Sequence, residues 1–314
     1  MPNTAVDLSS LLQRAHELLN RLEGWLPPAA EAPDWQNHSA FRWYREGRMT
    51  AFVPIPRPQP MPLERLAGIE PQKQRILANT AQFVAGKPAN NVLLTGARGT
   101  GKSSLIKAML TRFAAQGLRM IEVKKTQLAD LPEIGEQLAA RPERFIIFCD
   151  DISFGAEDND YLALKVALDG SLSSAPDNVL IYATSNRRHL MPESQRDNDV
   201  RDADLHPNET VEEKISLSDR FGLWLSFYPF DQEDYLACVA QWIAALGLPV
   251  NDPKALRAAA LQWALVRGNR SGRSARQFVN DWAGKHTAGI LQDQEPVGLD
   301  LPCPLPPENN GCKA

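Results

Sequence analysis

Over residues 8–22 apolar side chains recur at three- and four-residue steps, through Leu8, Leu11, Leu12, Ala15, Leu18, Leu19 and Leu22. That spacing puts them on one face and predicts an amphipathic helix. Asp7 fits its N-cap and Gly24 its end. The helix is too short to form a domain, so it either packs on the main body or docks to a partner. The pattern then breaks. Pro27, Pro28 and Pro33 precede the aromatic and basic run FRWYREGRMTAF, and Pro54, Pro56, Pro58, Pro60 and Pro62 alternate with other residues. Proline at that density blocks helix and central strand. Residues 24–62 are therefore expected as an extended arm or linker.

From residue 63 short apolar runs alternate with helical stretches. The strand-like runs are NVLLT (91–95), LRMIEV (118–123), RFIIFC (144–149), NVLIYAT (178–184) and LWLSFYPF (223–230), and SLIKAMLTRFAAQ (104–116) is the clearest helix between them. This alternation predicts an α/β layer with a mostly parallel sheet. After Pro229 the strand runs stop. Helical spacing takes over in 231–247, 253–268 and 274–289, each closed by a glycine: Gly247, Gly268 and Gly289. The expected order is an N-terminal helix (1–23), an arm (24–62), an α/β domain (63–230), a small all-helical domain (231–289) and a C-terminal tail (290–314). No solenoid-type repeat is visible.

Composition narrows the class without changing this order. The 314 residues have room for about two average domains. Apolar types at 43% and charged types at 23% fit an ordinary soluble protein. Lys and Arg total 34 against 38 Asp and Glu, a net charge of −4, which argues against a polybasic binder but not against a local basic groove. No apolar run approaches the roughly 18 residues of a membrane span. The first residues lack the basic and apolar blocks of a signal peptide. Cys149 and Cys238 lie in core-like patterns, and Cys303 and Cys312 stand in a Pro-rich tail with no neighbouring His. The expectation is a cytoplasmic, reduced protein with no cysteine metal site.

Specific chemistry enters at G-A-R-G-T-G-K-S, Gly96 to Ser103, which follows a predicted strand and opens a predicted helix. That context is what a phosphate-binding loop requires. Gly96, Gly99 and Gly101 let the backbone wrap closely around phosphate oxygens. The turned amides of Gly96, Ala97, Arg98, Gly99, Thr100, Gly101, Lys102, Ser103 and Ser104, at a helix N-terminus, form the candidate nucleotide site. Lys102 would set its ammonium beside the β- and γ-phosphates, and the Ser103 hydroxyl would ligate Mg²⁺. A dinucleotide site gives the Lys-Ser pair no role. Downstream, the apolar run RFIIFC ends in Asp150 and Asp151. A carboxylate at the end of a buried parallel strand is suited to holding Mg²⁺, which assigns Asp150 to the metal. Asp151 then becomes the candidate general base. The bland alternatives are a glycine turn before a helix and an acidic turn after a core strand.

With these motifs in place the chain resembles the AAA+ ATPases. The run V-L-I-Y-A-T-S-N-R-R ends on Asn186, which looks like the family's sensor 1 residue, there to orient water and touch the γ-phosphate. The run S-L-S-D-R-F-G resembles the arginine-finger box, which implies that Arg220 reaches a neighbouring subunit's site. The run G-N-R-S-G-R-S-A-R-Q-F looks like the sensor 2 region, with Arg273 the best fit and Arg270 and Arg276 as competitors. The run L-E-R-L-A-G-I-E resembles the adenine-side segment and implies Gly68 and Ile69 near the base. The likeness covers about residues 63–289 and is nearest to a bacterial family of predicted AAA+ ATPases of unknown function. It implies a P-loop NTPase core with a helical lid, ATP and Mg²⁺ as cofactors, a homo-oligomer, and remodelling of a protein or nucleoprotein partner. In one respect the chain departs from the family: Asp151 stands where most members carry Glu. Asp is shorter by one methylene, about 1.5 Å, so slow hydrolysis is expected, or a differently held water. That keeps a second reading in play, an ATP-dependent switch or adaptor that does not hydrolyse, and beside it a third, a nucleic-acid-associated loader.

Two segments lie outside these motifs. Residues 191–214 are strongly acidic, read either as a solvated insertion or as a nucleotide-responsive loop. Phe41, Arg42, Trp43, Tyr44 and Arg45 could stack on bases or pack on the body; packing is the favoured expectation.

Overall fold

The computed structural model describes residues 12–14, 16–17, 32–154, 160–169, 176–187 and 220–287. The chain divides into two units, residues 1–229 and 230–314. Of the predicted helix over 8–22, only residues 12–14, 16 and 17 are described; they are helical and exposed. The acidic insertion, Gly289 and the tail with Cys303 and Cys312 lie outside the described residues.

The first unit is built on one sheet. Its strands are β1 (Ala40–Glu46), β2 (Met49–Pro54), β3 (Val92–Gly96), β4 (Leu118–Glu122), β5 (Arg144–Cys149), β6 (Val179–Ser185) and β7 (Leu223–Phe227), in the order β2-β1-β4-β5-β6-β3-β7. Every neighbouring pair is parallel except β1 with β2. The helices are α1 (Glu70–Val84), α2 (Lys102–Phe113), α3 (Leu131–Ala139) and α4 (Asp160–Asp169). Strands β3 and β5 are buried almost throughout, and their uninterrupted apolar runs suit a sheet covered on both faces. Tyr182 of β6 is buried, and burial pushes its hydroxyl up to about 12. That hydroxyl meets Asn79 Nδ2 at 3.1 Å and Thr80 Oγ1 at 2.9 Å, tying α1 to the sheet.

Residues 40–54 correct the expected arm. They form an antiparallel hairpin whose first strand continues the parallel sheet beside β4. The reason lies in where the prolines fall. None occurs between Pro33 and Pro54, so the ladder keeps its donors, and Pro54 ends the edge strand, where proline is tolerated. Gly47, at φ +59°, takes the first position of the two-residue turn. Phe41 and Trp43 alternate inward and are fully buried, joining Trp35, Phe52, Ile121 and Phe145. The arginines of this stretch are held by carboxylates. Arg42 pairs with Glu122 at 2.8 Å, while Arg45 bonds Asp130 at 2.7 Å and also Glu133. Trp43 donates its Nε1–H to Asp130 at 2.7 Å. The stretch therefore packs on the body, as favoured.

The second unit holds α5 (Gln232–Ala245), α6 (Pro253–Val266) and α7 (Gly272–Thr287). Asp231 and Asp252 cap α5 and α6 by accepting backbone N–H bonds. Gly247 and Gly268, at φ +62° and +63°, close them. Tyr235, Val239, Ala260, Ala264, Phe278 and Val279 form the unit's interior. Among the described residues no helix is long and apolar enough to cross a membrane.

Candidate functional site

The C-terminal ends of β3, β5 and β6 lie side by side, because β6 sits between the other two in the sheet. Each carries residues singled out in the sequence. At the end of β3 the chain turns through Gly96, Gly99 and Gly101, at φ +129°, +77° and +98°. These values favour residues without a Cβ. Gly96 has a second reason: a Cβ there would lie 1.9 Å from the carbonyl oxygen of Phe227 at the end of β7. Ala97 N–H donates to that same oxygen at 3.3 Å. Replacing Gly96 by Ala should therefore lower unfolding stability by about 3 kcal/mol, from overpacking and backbone strain together. Urea denaturation of the variant checks this, and an unchanged midpoint would contradict the clash.

Inside the turn Thr100 is buried and donates to Ala97 O at 2.8 Å. Lys102 opens α2 with only 6% of its surface exposed. Its Nζ donates to Gly96 O and Ala97 O at 2.7 Å each and to Asn186 Oδ1 at 3.0 Å. Ser103 and Ser104 follow in the first turn, half-buried, and Arg98 is exposed. Leu66 and Ile69 press on the loop from the start of α1: a Cβ on Gly101 would meet Ile69 Cδ1 at 3.6 Å and Leu66 Cδ2 at 3.8 Å. Gly68, between them, takes φ +73°. The structure thus puts Ile69 against the phosphate loop together with Leu66, which the sequence reading had not singled out.

The acids follow β5. Ser103 donates to Asp150 Oδ1 at 2.5 Å. Thr184 of β6 donates to the same oxygen at 2.6 Å. Asp151, at φ +52°, is the only non-glycine residue with positive φ among the described residues. Asp enters that region more readily than most residues because its short polar side chain can bond locally. Glu lacks this short arm, which gives a backbone reason for Asp at this position. Asp151 N–H donates to Thr184 Oγ1 at 2.8 Å, and its Oδ1 accepts from Asn186 Nδ2 at 2.5 Å. Asn186 therefore uses both ends of its amide, joining Asp151 to Lys102. Cys149, just before the acids, is fully buried; burial first, then the Asp150 charge, pushes its thiol up to about 12, so it stays protonated and unreactive near neutral pH.

Gly96 to Ser104, Asp150, Asp151 and Asn186 thus meet at one sheet edge. Arg220 does not join them. It precedes β7, whose rise from Leu223 to Phe227 is about 13 Å, and only the far end of that strand pairs with Gly96. Arg273 lies in the second unit, exposed on the first turn of α7. One turn on, Arg276 stacks over Trp242 at 5.0 Å, and Arg270 is exposed just before the helix. Thr184 is the principal residue that sequence reasoning missed. In the sequence it is one more β-branched residue in a strand, and only the pairing of β5 with β6 brings it to the acids.

The donor set suits a magnesium triphosphate. Glycines at positive φ leave the loop's amides open to anionic oxygens, Lys102 supplies positive charge, and Ser103 Oγ and the Asp150 carboxylate are the hard oxygens that Mg²⁺ prefers.

Residues 36–286 match a family described as protein of unknown function, DUF815. No curated protein matches the sequence. Among solved structures, the ORC1 protein of Aeropyrum pernix in complex with DNA aligns with a TM-score of 0.50 at 17% identity, over 70% of this chain and 61% of that one. A point mutant of RuvB from Thermotoga maritima aligns at 0.49 and 17%, over 74% and 68%. A chain of the HORMA:CdnC:Trip13 complex of E. coli MS115-1 aligns at 0.43 and 14%, over 70% and 90%. At such identities likeness speaks to fold alone. The fold is the α/β P-loop NTPase fold of the AAA+ type, as the sequence motifs implied.

Proposed function

The chain belongs to the DUF815 family, and from that premise we propose that it binds and hydrolyses Mg-ATP and couples the cycle to remodelling of a protein or nucleoprotein partner. The observation that carries this reading is the continuous hydrogen-bonded set Ser103–Asp150–Thr184–Asp151–Asn186–Lys102 at the mouth of the phosphate loop. Ser103 and Asp150 would hold magnesium, which when bound would supply positive charge to the phosphoryl group. Lys102 exchanges its carbonyl partners for phosphate oxygens. Asp151 takes a proton from the attacking water, while Asn186 holds that carboxylate in place and turns its amide to the water. In the second unit Arg273 is our choice for the sensor 2 role, since Arg276 is engaged by Trp242.

Arg220 serves a neighbouring subunit, which makes the working form a homo-oligomer, most simply a ring. Its position at the end of β7 remote from Gly96 supports action in trans. The buried thiols of Cys149 and Cys238, neither of them in a disulfide, support a reducing, cytoplasmic setting. The −4 net charge and the carboxylate-bound arginines of the hairpin favour a protein partner over nucleic acid.

The test measures ATP affinity and phosphate release together. Asp151→Asn should keep ATP affinity within about threefold and lower turnover by about a hundredfold, so that ATP-loaded assemblies accumulate, visible as a larger hydrodynamic size with ATP than without. A wild-type chain that binds no ATP overturns the proposal. One that binds ATP and releases no phosphate, with size still ATP-dependent, supports the second reading, a switch or adaptor. The shorter Asp151 side chain favours that reading.

A further inference from the structure

Thr184 touches both acids at once. Its hydroxyl is buried, at 2% residue exposure. The single hydroxyl proton goes to Asp150 Oδ1, at 2.6 Å, and a lone pair receives Asp151 N–H, at 2.8 Å. Its backbone carbonyl accepts Ile152 N–H at 2.8 Å. One residue of β6 thus holds three consecutive residues of the turn after β5. Ser103 converges on the same Asp150 oxygen from the phosphate loop, and two donors on one oxygen fix how the carboxylate is rotated. The bond to Asp151 N–H secures a backbone conformation that an aspartate adopts only with local support, and that conformation brings its carboxylate to Asn186. A β-branched side chain in a strand has few rotamers to choose from, so the hydroxyl stays where β6 puts it.

We propose that Thr184 is a positioning residue for hydrolysis: its one hydroxyl sets the metal-side carboxylate of Asp150 and the water-side carboxylate of Asp151 in a fixed relation. The inference rests on the Mg-ATP reading above. Two adjacent carboxylates repel each other. Without the hydroxyl, Asp150 is free to rotate away from the metal position and Asp151 to leave positive φ. Both changes act on magnesium use and on the chemical step, while the phosphate loop, which sets ATP affinity, is left alone.

Thr184→Val removes the hydroxyl at constant shape, and Thr184→Ser keeps the hydroxyl. In the full chain we expect Thr184→Val to lower kcat by about 30-fold and to raise the Mg²⁺ concentration for half-maximal turnover by about tenfold, the range seen for residues that orient metal ligands. ATP affinity in EDTA should stay within about threefold, and Thr184→Ser should restore every value to within about threefold of wild type. Thr184→Ala is the second hydroxyl-free variant, and it must show the same split should the valine variant fail to fold. In a chain that binds ATP without turnover, the Mg²⁺ dependence of ATP affinity takes the place of kcat. A hydroxyl-free variant with wild-type magnesium response overturns the inference, as does a serine variant as impaired as the valine one. A wild-type chain with no ATP binding overturns the ATP reading itself, and the two failures are therefore told apart.

Discussion

Lys102→Ala should lower ATP turnover by about a thousandfold, the scale of removing one electrostatic partner of the transition state, and should lose ATP binding at concentrations that saturate the wild type. The expectation follows from where the ammonium is held. Nζ is held against Gly96 O, Ala97 O and Asn186 Oδ1, so the ammonium sits inside the turn that the candidate phosphate loop makes. A charge held in a poorly hydrated site acts on a triphosphate far more strongly than one in water. The fold should survive, because the two carbonyls released belong to the half-buried turn at the end of β3 and not to the interior of a strand or helix. Unchanged circular dichroism and an unchanged thermal midpoint would separate loss of chemistry from loss of structure. Steady-state turnover indistinguishable from wild type would remove the catalytic claim.

Arg220→Ala should lower turnover by about a thousandfold or more, the usual scale for an arginine finger, yet leave ATP affinity of the isolated subunit unchanged. Arg220 stands before β7, at the end of the sheet remote from its own phosphate loop, so its guanidinium has no short route to that loop's phosphates. The planar, permanently charged group suits a triphosphate presented by a neighbour. The sharpest check is complementation. Lys102→Ala subunits retain Arg220, and Arg220→Ala subunits retain the phosphate loop. Neither should turn over ATP alone. Mixed in equal amounts, about one interface in four joins a sound loop to a sound finger in a head-to-tail assembly, and activity should return. Activity that stays absent on mixing, with mixed assemblies shown to form, would exclude action in trans.

The site's legibility in the sequence followed the locality of its parts. Gly96 to Ser103 could be read at once because eight successive residues carry the whole motif, and the structure puts them at the end of β3 as expected. Asp150, Asp151 and Asn186 could be read as strand ends, since parallel strands deliver their C-termini to one edge. Thr184 could not, because its importance comes from lying across from β5, and strand order is not written in any short window. The positive φ of Asp151 was equally hidden; the sequence showed only a shorter acid than the family pattern. The hairpin was concealed by its flanks. Prolines on either side gave the 24–62 segment the look of a linker, while Phe41, Trp43 and Phe52 between them had the inward alternation of a strand pair.

That hairpin has a practical consequence for where the chain can be cut. A fragment begun at residue 63, the boundary the composition suggests, would keep every phosphate-loop and acidic residue yet lose Trp35, Phe41, Trp43 and Phe52 from the interior they share with Ile121 and Phe145. It would also bare the ladder of β4 along the register that β1 now occupies, and an uncovered, apolar strand edge is a template for aggregation. The shortest fragment that keeps the candidate site is therefore not the shortest one expected to resist aggregation, and the aromatic hairpin marks the difference between the two.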